Sequence, residues 1–226
     1  GHRFGMRLEH EFSENTSIIF EPQVNFGSGS FNQFSNFQTY TETGDVRDST
    51  NRGYTSNLGD NNNWSTSGFF LFRQRLGKPG RTISANIRYS FSNNELLGFN
   101  QSLTEVKETP ASDWTSTPIN QRFDQNSRSS SMSGRVVYTE PLTDVFFMEV
   151  NYQYSWNRNV SAKKTFNSGT DLLDKNGMLI FNPDGEYADE RYSNSILNRS
   201  ITQRAGLNFS YQKDKIRAQL GASAIP

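Results

Sequence analysis

The sequence contains no cysteine and only two histidines among its 226 residues. Without cysteine the chain has neither a disulfide nor a thiolate metal site. His2 and His10 fall on one face of a predicted strand, roughly 26 Å apart by strand rise, which is too far to share a metal ion. Nucleophile-elbow, phosphate-loop and His-Glu-Xaa-Xaa-His motifs are missing too. The sequence therefore predicts no catalytic residue, no metal site, no cofactor and no enzymatic activity.

Long hydrophobic runs and an excess of one charge are also missing. Apolar runs such as residues 69–72 and 145–148 stop at four residues, far short of the roughly 18 needed for a membrane-spanning helix. There are 23 basic and 23 acidic residues, so the chain has no net field that attracts nucleic acid. If the chain crosses a bilayer, it must do so with strands.

Aromatic residues, in contrast, are abundant and regularly placed. They make up 13% of the chain, although hydrophobic residues reach only 33%. After a tight turn at residues 140–144, apolar and polar residues alternate from 146 to 156. This alternation predicts a β-hairpin. A strand of about ten residues that is apolar on one face, polar on the other and aromatic at its end is typical of a transmembrane β-barrel.

The same alternation recurs and predicts eight strands, near residues 2–12, 17–28, 64–76, 83–91, 132–138, 146–156, 201–211 and 216–220. Short turns near residues 15, 79, 142 and 213 alternate with long polar stretches at about 29–63, 93–128 and 157–199. The first of these stretches can begin by extending its strand. We therefore expect an all-β, antiparallel up-and-down transmembrane β-barrel, with short periplasmic turns and long extracellular loops. Pro22, which cannot donate to a ladder, is expected at an edge or bulge.

Each predicted strand has two distinct faces. Charged residues of both signs are expected to line the lumen, namely Arg7, Glu9, Glu21, Arg73, Arg75, Arg88, Arg135, Glu149, Arg204 and Arg217. Apolar residues on the other face are expected to meet lipid, namely Phe20, Phe70, Phe72, Tyr89, Phe91, Met148, Tyr152, Tyr154, Trp156 and Phe209. An Arg or Lys on the lipid side would cost roughly 2–4 kcal/mol at mid-bilayer, which fixes this assignment if the chain is a membrane wall.

The polar stretches contain candidate ligand contacts. Aromatic residues there, which stack on ligands or pack the loops together, include Phe37, Tyr40, Tyr54, Trp64, Trp114, Phe166, Tyr187 and Tyr192. Residues 174–177 and 182–185 have the composition of ordinary turns. The acidic residues Asp184, Glu186, Asp189 and Glu190 are compatible with weak cation binding but are typical of a solvated loop.

The hairpin at residues 138–154, the segment 211–218 and the turn at 10–13 resemble the barrel region of Bacteroidetes-type TonB-dependent receptors. The resemblance implies an outer-membrane location, a barrel larger than eight strands and contact with outer-membrane lipid. It also implies a separate plug domain, an energy-transducing periplasmic partner and a nutrient ligand. On this interpretation residues 1–226 form a barrel segment, and the plug and the barrel closure lie outside the chain.

Two other interpretations remain open at the sequence level. A complete eight-stranded barrel would serve as an anchor or adhesin through its long loops, since eight strands suffice to close a small barrel. A soluble β-sandwich lectin would bury its apolar faces against each other.

Overall fold

The computed structural model describes residues 1–43, 45–109, 111–213 and 215–225. Among them no helix is long and apolar enough to span a membrane. The described chain is built of antiparallel strands, in agreement with the predicted class. The strands are β1 His2–Gly5, β2 Leu8–Ser13, β3 Thr16–Thr43, β4 Val46–Arg75, β5 Thr82–Val106, β6 Thr115–Pro141, β7 Phe146–Asn167, β8 Leu172–Leu173, β9 Leu179–Ile180, β10 Tyr187–Ala188, β11 Asn194–Lys213 and β12 Ile216–Ala224.

Ten of these strands form one sheet in which neighbours in sequence are neighbours in space. The order is β1, β3, β4, β5, β6, β7, β11 and β12, with β2 also paired to β3 and β10 to β7. A two-residue hairpin, β8–β9, makes a second small sheet. Every predicted strand therefore exists, and each hairpin connection is the expected one. The predicted first strand, residues 2–12, is present as two pieces, β1 and β2.

Pro22 explains this break. The two halves pair with β3 at Gly5–Gln23 and at Leu8–Phe20, so the gap at residues 6 and 7 lies opposite Pro22. The Pro22 carbonyl still accepts a hydrogen bond from the Met6 N–H at 3.1 Å. Proline has no N–H to return, so the ladder is interrupted there.

Three of the predicted turns lie where the sequence places them. The Arg81 N–H donates to the Lys78 carbonyl at 3.0 Å, and Gly80 has φ +83°, which fits the predicted type II turn around Pro79–Gly80. Residues 14–15 connect β2 to β3, and residues 142–145 connect β6 to β7. The fourth predicted turn includes Asp214, which lies outside the described residues.

The first two long polar stretches are mostly strand, so the prediction of long loops is wrong there, whereas the third keeps a long connection between β7 and β11, residues 168–193. β3 and β4 pair continuously from Thr16–Gln74 to Thr43–Val46, with one register shift between Thr39 and Tyr40. β5 and β6 pair up to Val106–Thr115. The backbone N–H and C=O groups of serine, threonine and asparagine form the hydrogen bonds of a β-ladder just as those of apolar residues do. When both faces meet water, however, no apolar alternation marks the strand.

Two phenylalanine rings pack over paired glycines in these extended hairpins. Gly59 pairs with Gly98, and a Cβ on Gly98 would lie 2.4 Å from the Leu58 carbonyl oxygen and 2.8 Å from the Phe123 ring. A Cβ on Gly59 would lie 2.9 Å from the Phe31 ring. The close approach leaves room only for glycine at both positions.

The sheet is a single open layer. In the described residues no strand pairs β12 with β1 or β2, so the sheet does not close. Its accessible surface is 15506 Å², whereas a compact protein of this mass would expose about 10,400 Å². The buried apolar residues are Ile19, Tyr54, Phe123 and Leu179. A closed eight-stranded barrel is therefore not formed, and a β-sandwich is not formed either.

Candidate functional site

The strand register separates the sheet into two chemically different faces. Residues paired across antiparallel strands point to the same side. Phe20, Phe70, Ile87, Gly134 and Tyr154 form one row, and the rows on either side of it are also apolar. All ten residues expected to meet lipid lie on this apolar face, namely Phe20, Phe70, Phe72, Tyr89, Phe91, Met148, Tyr152, Tyr154, Trp156 and Phe209.

Much of this apolar face is exposed in the structure. Val136 and Tyr152, which pair across β6 and β7, are each 45% exposed, and Val150 is 44% exposed. From Met148 to Trp156 the apolar band is roughly 26 Å long along β7, or about 20 Å high for a strand tilted by about 40°. A contiguous exposed surface of this kind on a soluble protein marks an interaction site.

The opposite face carries the charged residues. All ten residues expected to line a lumen lie there, namely Arg7, Glu9, Glu21, Arg73, Arg75, Arg88, Arg135, Glu149, Arg204 and Arg217. Some of them form ion pairs with each other, either along one strand or across neighbouring strands. Arg7 contacts Glu9 at 3.1 Å and also binds Glu21, while Arg135 lies 3.7 Å from Glu149.

Residues 168–193 form a folded cap on the far end of the sheet. The β8–β9 hairpin docks through polar groups: the Leu179 N–H donates to the Tyr54 hydroxyl at 2.6 Å, and Gln101 Nε2 donates to the Leu179 carbonyl at 2.9 Å. Asn120 Nδ2 donates to the Ile180 carbonyl at 2.9 Å. Burial, the largest effect, raises the pKa of the Tyr54 hydroxyl. Paired amides therefore attach the cap.

Asp189 anchors the other side of the cap. This residue is 5% exposed, and its carboxylate accepts hydrogen bonds from Asn167 Nδ2 at 2.9 Å and from the Arg191 N–H at 3.1 Å. These bonds, that from Asn167 first, hold the pKa of the carboxyl below its usual value. Arg122 binds the cap as well, through both carboxylate oxygens of Glu186 at 2.7 and 3.2 Å.

A cleft of about 310 Å³ lies between the cap and the far ends of β5, β6 and β7. Its walls combine amide, charged and phenolic groups, and include Asn100, Gln121, Asn167, Asp189, Arg191 and Tyr187. Pockets of this size are in the range that binds small molecules. The cleft is therefore a candidate for a ligand contact beneath the cap.

The eight aromatic residues predicted as loop contacts do not form one site. Tyr187 and Tyr192 line the cleft. Phe37 and Tyr40 lie in β3, Tyr54 and Trp64 in β4, and Phe166 in β7, so their placement in loops is wrong. Trp114 lies outside the strands, 4.2 Å beneath the Arg52 guanidinium. Their polar surroundings concealed the strands from sequence analysis.

Two of the four acidic candidates for cation binding have partners within the protein. Glu186 pairs with Arg122, and Asp189 is held by Asn167 and Arg191. Within the described ranges, no group of three His, Asp or Glu side chains is arranged to hold a metal ion. Residues 174–177 form the predicted turn, in which Asp174 Oδ1 accepts from the N–H groups of Asn176 and Met178 at 2.7 and 2.8 Å.

Sequence analysis missed the buried amides that attach the cap, Gln101, Asn120 and Gln121. Their only signal is a Gln or Asn inside a polar strand, which is the same signal that solvent-exposed residues give. Comparison with known proteins adds nothing to this geometry, because no family model matches the chain and no curated protein is detectably similar to it.

Proposed function

We propose that the chain is a wall segment of a TonB-dependent receptor in the bacterial outer membrane, which takes up a nutrient. The observation that carries the proposal is the segregation of the sheet into an exposed apolar face and a charged face. In water an uncovered apolar surface of this extent is unfavourable at roughly 25 cal/mol per Å². Against hydrocarbon the same surface carries no such penalty.

The open sheet supports a large barrel. Free edges on β12 and on the β1–β2 side leave backbone N–H and C=O groups unpaired, and unpaired groups of this kind are not tolerated within a bilayer. Further strands would satisfy them, in keeping with the resemblance at residues 138–154. The charged face would then line the lumen, contact a plug and provide a wetted path. Opening of that path would depend on the energy-transducing partner, and the cleft beneath the cap would contact the nutrient.

Photocrosslinking tests the two faces within the intact receptor. A photoreactive amino acid is placed at Arg204 or at Ala205, which are consecutive in β11 and point to opposite faces. Ala205 pairs with Tyr152 in the middle of the apolar band. We expect position 205 to crosslink to lipid and position 204 to polypeptide. Crosslinks from position 205 to a soluble protein, or recovery of the receptor in the soluble fraction, would overturn the proposal.

A further inference from the structure

Three arginines form a cluster at one border of the apolar band. Arg158 pairs directly with Arg199 across β7 and β11, and this row follows the one that contains Trp156. Arg128 lies one strand away, two residues along, because it pairs with Val160. All three side chains are exposed. They lie on the apolar face, unlike the arginines of the charged face.

Like charges directly opposite each other on a sheet repel, so an anion bound between them would stabilise this arrangement. Directly opposite residues have Cβ atoms about 5 Å apart and diagonal ones about 7–8 Å. Arg158 therefore lies next to both Arg128 and Arg199, close enough for the long arginine side chains to reach one phosphate between them. Arginine also recognises phosphate with paired hydrogen bonds.

The protein supplies little compensation itself. Among the described residues no carboxylate forms an ion pair with any of the three arginines. Arg128 donates to the amide oxygens of Asn93 and Asn126, both at 3.2 Å. Glu95, the nearest carboxylate in the register, accepts from those same two asparagines.

The other border of the band is arranged differently. There Arg81 donates to both carboxylate oxygens of Glu140 at 2.8 and 2.7 Å, and Lys78 lies 3.7 Å from the same carboxylate. Arg81 and Lys78 are therefore neutralised within the protein.

We propose that Arg128, Arg158 and Arg199 bind the phosphate of a lipid headgroup in the leaflet on the side of the long strands. The inference rests on the proposed function, since it needs the apolar band to lie in hydrocarbon. A cation placed one row beyond that band lies at headgroup depth. The three arginines would hold the barrel at a fixed depth through lipids that carry phosphate esters as their anionic group.

The test compares two double variants of the intact receptor in neutral phosphatidylcholine nanodiscs. R158Q/R199Q removes two cluster arginines. R73Q/R204Q removes two from the charged face and is the matched control. Short-chain phosphatidic acid is titrated, and bound lipid is counted by native mass spectrometry. At roughly fivefold in affinity per arginine, R158Q/R199Q is expected to bind about 25-fold more weakly. R73Q/R204Q is expected to bind like the wild type.

Equal binding of phosphatidic acid by the wild type and by R158Q/R199Q would overturn the inference. Complete displacement of phosphatidic acid by inorganic phosphate at the same concentration would overturn it too. In both cases insertion into the neutral nanodisc still supports the membrane wall. Failure of all forms, including the wild type, to insert would instead overturn the proposed function and this inference with it. Weaker binding of phosphatidic acid by R158Q/R199Q, but not by R73Q/R204Q, supports both the inference and the proposed function.

Discussion

Two adjacent valines in β6 offer the sharpest test of the sidedness of the sheet. Val136 pairs with Tyr152 on the apolar face, whereas Val137 pairs with Asn151 on the charged face. Changing either one to arginine adds the same side chain to the same strand, one residue apart. β propensity and loss of the valine contribute almost equally to both variants. The difference between V136R and V137R therefore isolates the environment of the two faces.

The expected size of the effect follows from the position of Val136. Its partner Tyr152 lies midway between Met148 and Trp156, four residues from each border of the apolar band. Four residues correspond to roughly 13 Å along the strand, beyond the reach of an arginine side chain. In a bilayer V136R should therefore lose about 2–4 kcal/mol in the free energy of unfolding. For V137R, facing water, we expect a change within about 1 kcal/mol, and for M132R, near the border, a smaller loss than for V136R.

Guanidinium unfolding of the receptor in phosphatidylcholine vesicles, followed by tryptophan fluorescence, measures these free energies. Val136 is 45% exposed, so if its face met water, V136R would be nearly neutral. Equal stabilities for V136R and V137R would refute the membrane assignment of the apolar face. A larger loss for V137R than for V136R would show that the two faces have been assigned the wrong way round.

Three further results are expected from the extended hairpins and the cap. G98A should lose about 1–3 kcal/mol in the free energy of unfolding because its Cβ meets backbone, whereas G29A, whose Cβ meets open space, should change stability by less than about 0.5 kcal/mol. Y54F should lose about 1–3 kcal/mol of local stability, read from amide exchange in the cap, because a buried N–H loses its partner. The exposed control Y40F should leave exchange unchanged. Asp189 has a lowered folded pKa, so it stabilises the cap fully above its unfolded pKa of about 3.9 and less as the pH falls through the folded pKa. We therefore expect amide protons of the wild-type cap to exchange faster as the pH falls, after correction for the intrinsic exchange rate. In D189N the exchange rates of the cap should depend less on pH.

Alternation within the sequence was sufficient to predict the all-β class, the hairpin order and the residues that share each face. Register follows from alternation because a slip of one residue would exchange every apolar side chain with a polar one. Turn chemistry was equally local, as at Pro79–Gly80, where the proline φ and a positive glycine φ specify the turn. The break opposite Pro22 also follows from a local property, the missing N–H.

Tertiary structure alone decided how far the strands extend and what holds the cap. Beyond Phe26 in β3 the aromatic residues Phe31, Phe34, Phe37 and Tyr40 recur every third residue among polar ones. They alternate between the two faces, so no apolar alternation of period two marks the strand and its pairing depends on the partner strand. Gln101 and Asn120 become buried anchors only because residues 179–180, far away in sequence, return to meet them. The cluster of Arg128, Arg158 and Arg199 likewise arises from the register of three strands. Alternation specifies the face on which a residue lies, but the neighbours that it meets there depend on pairing between distant segments.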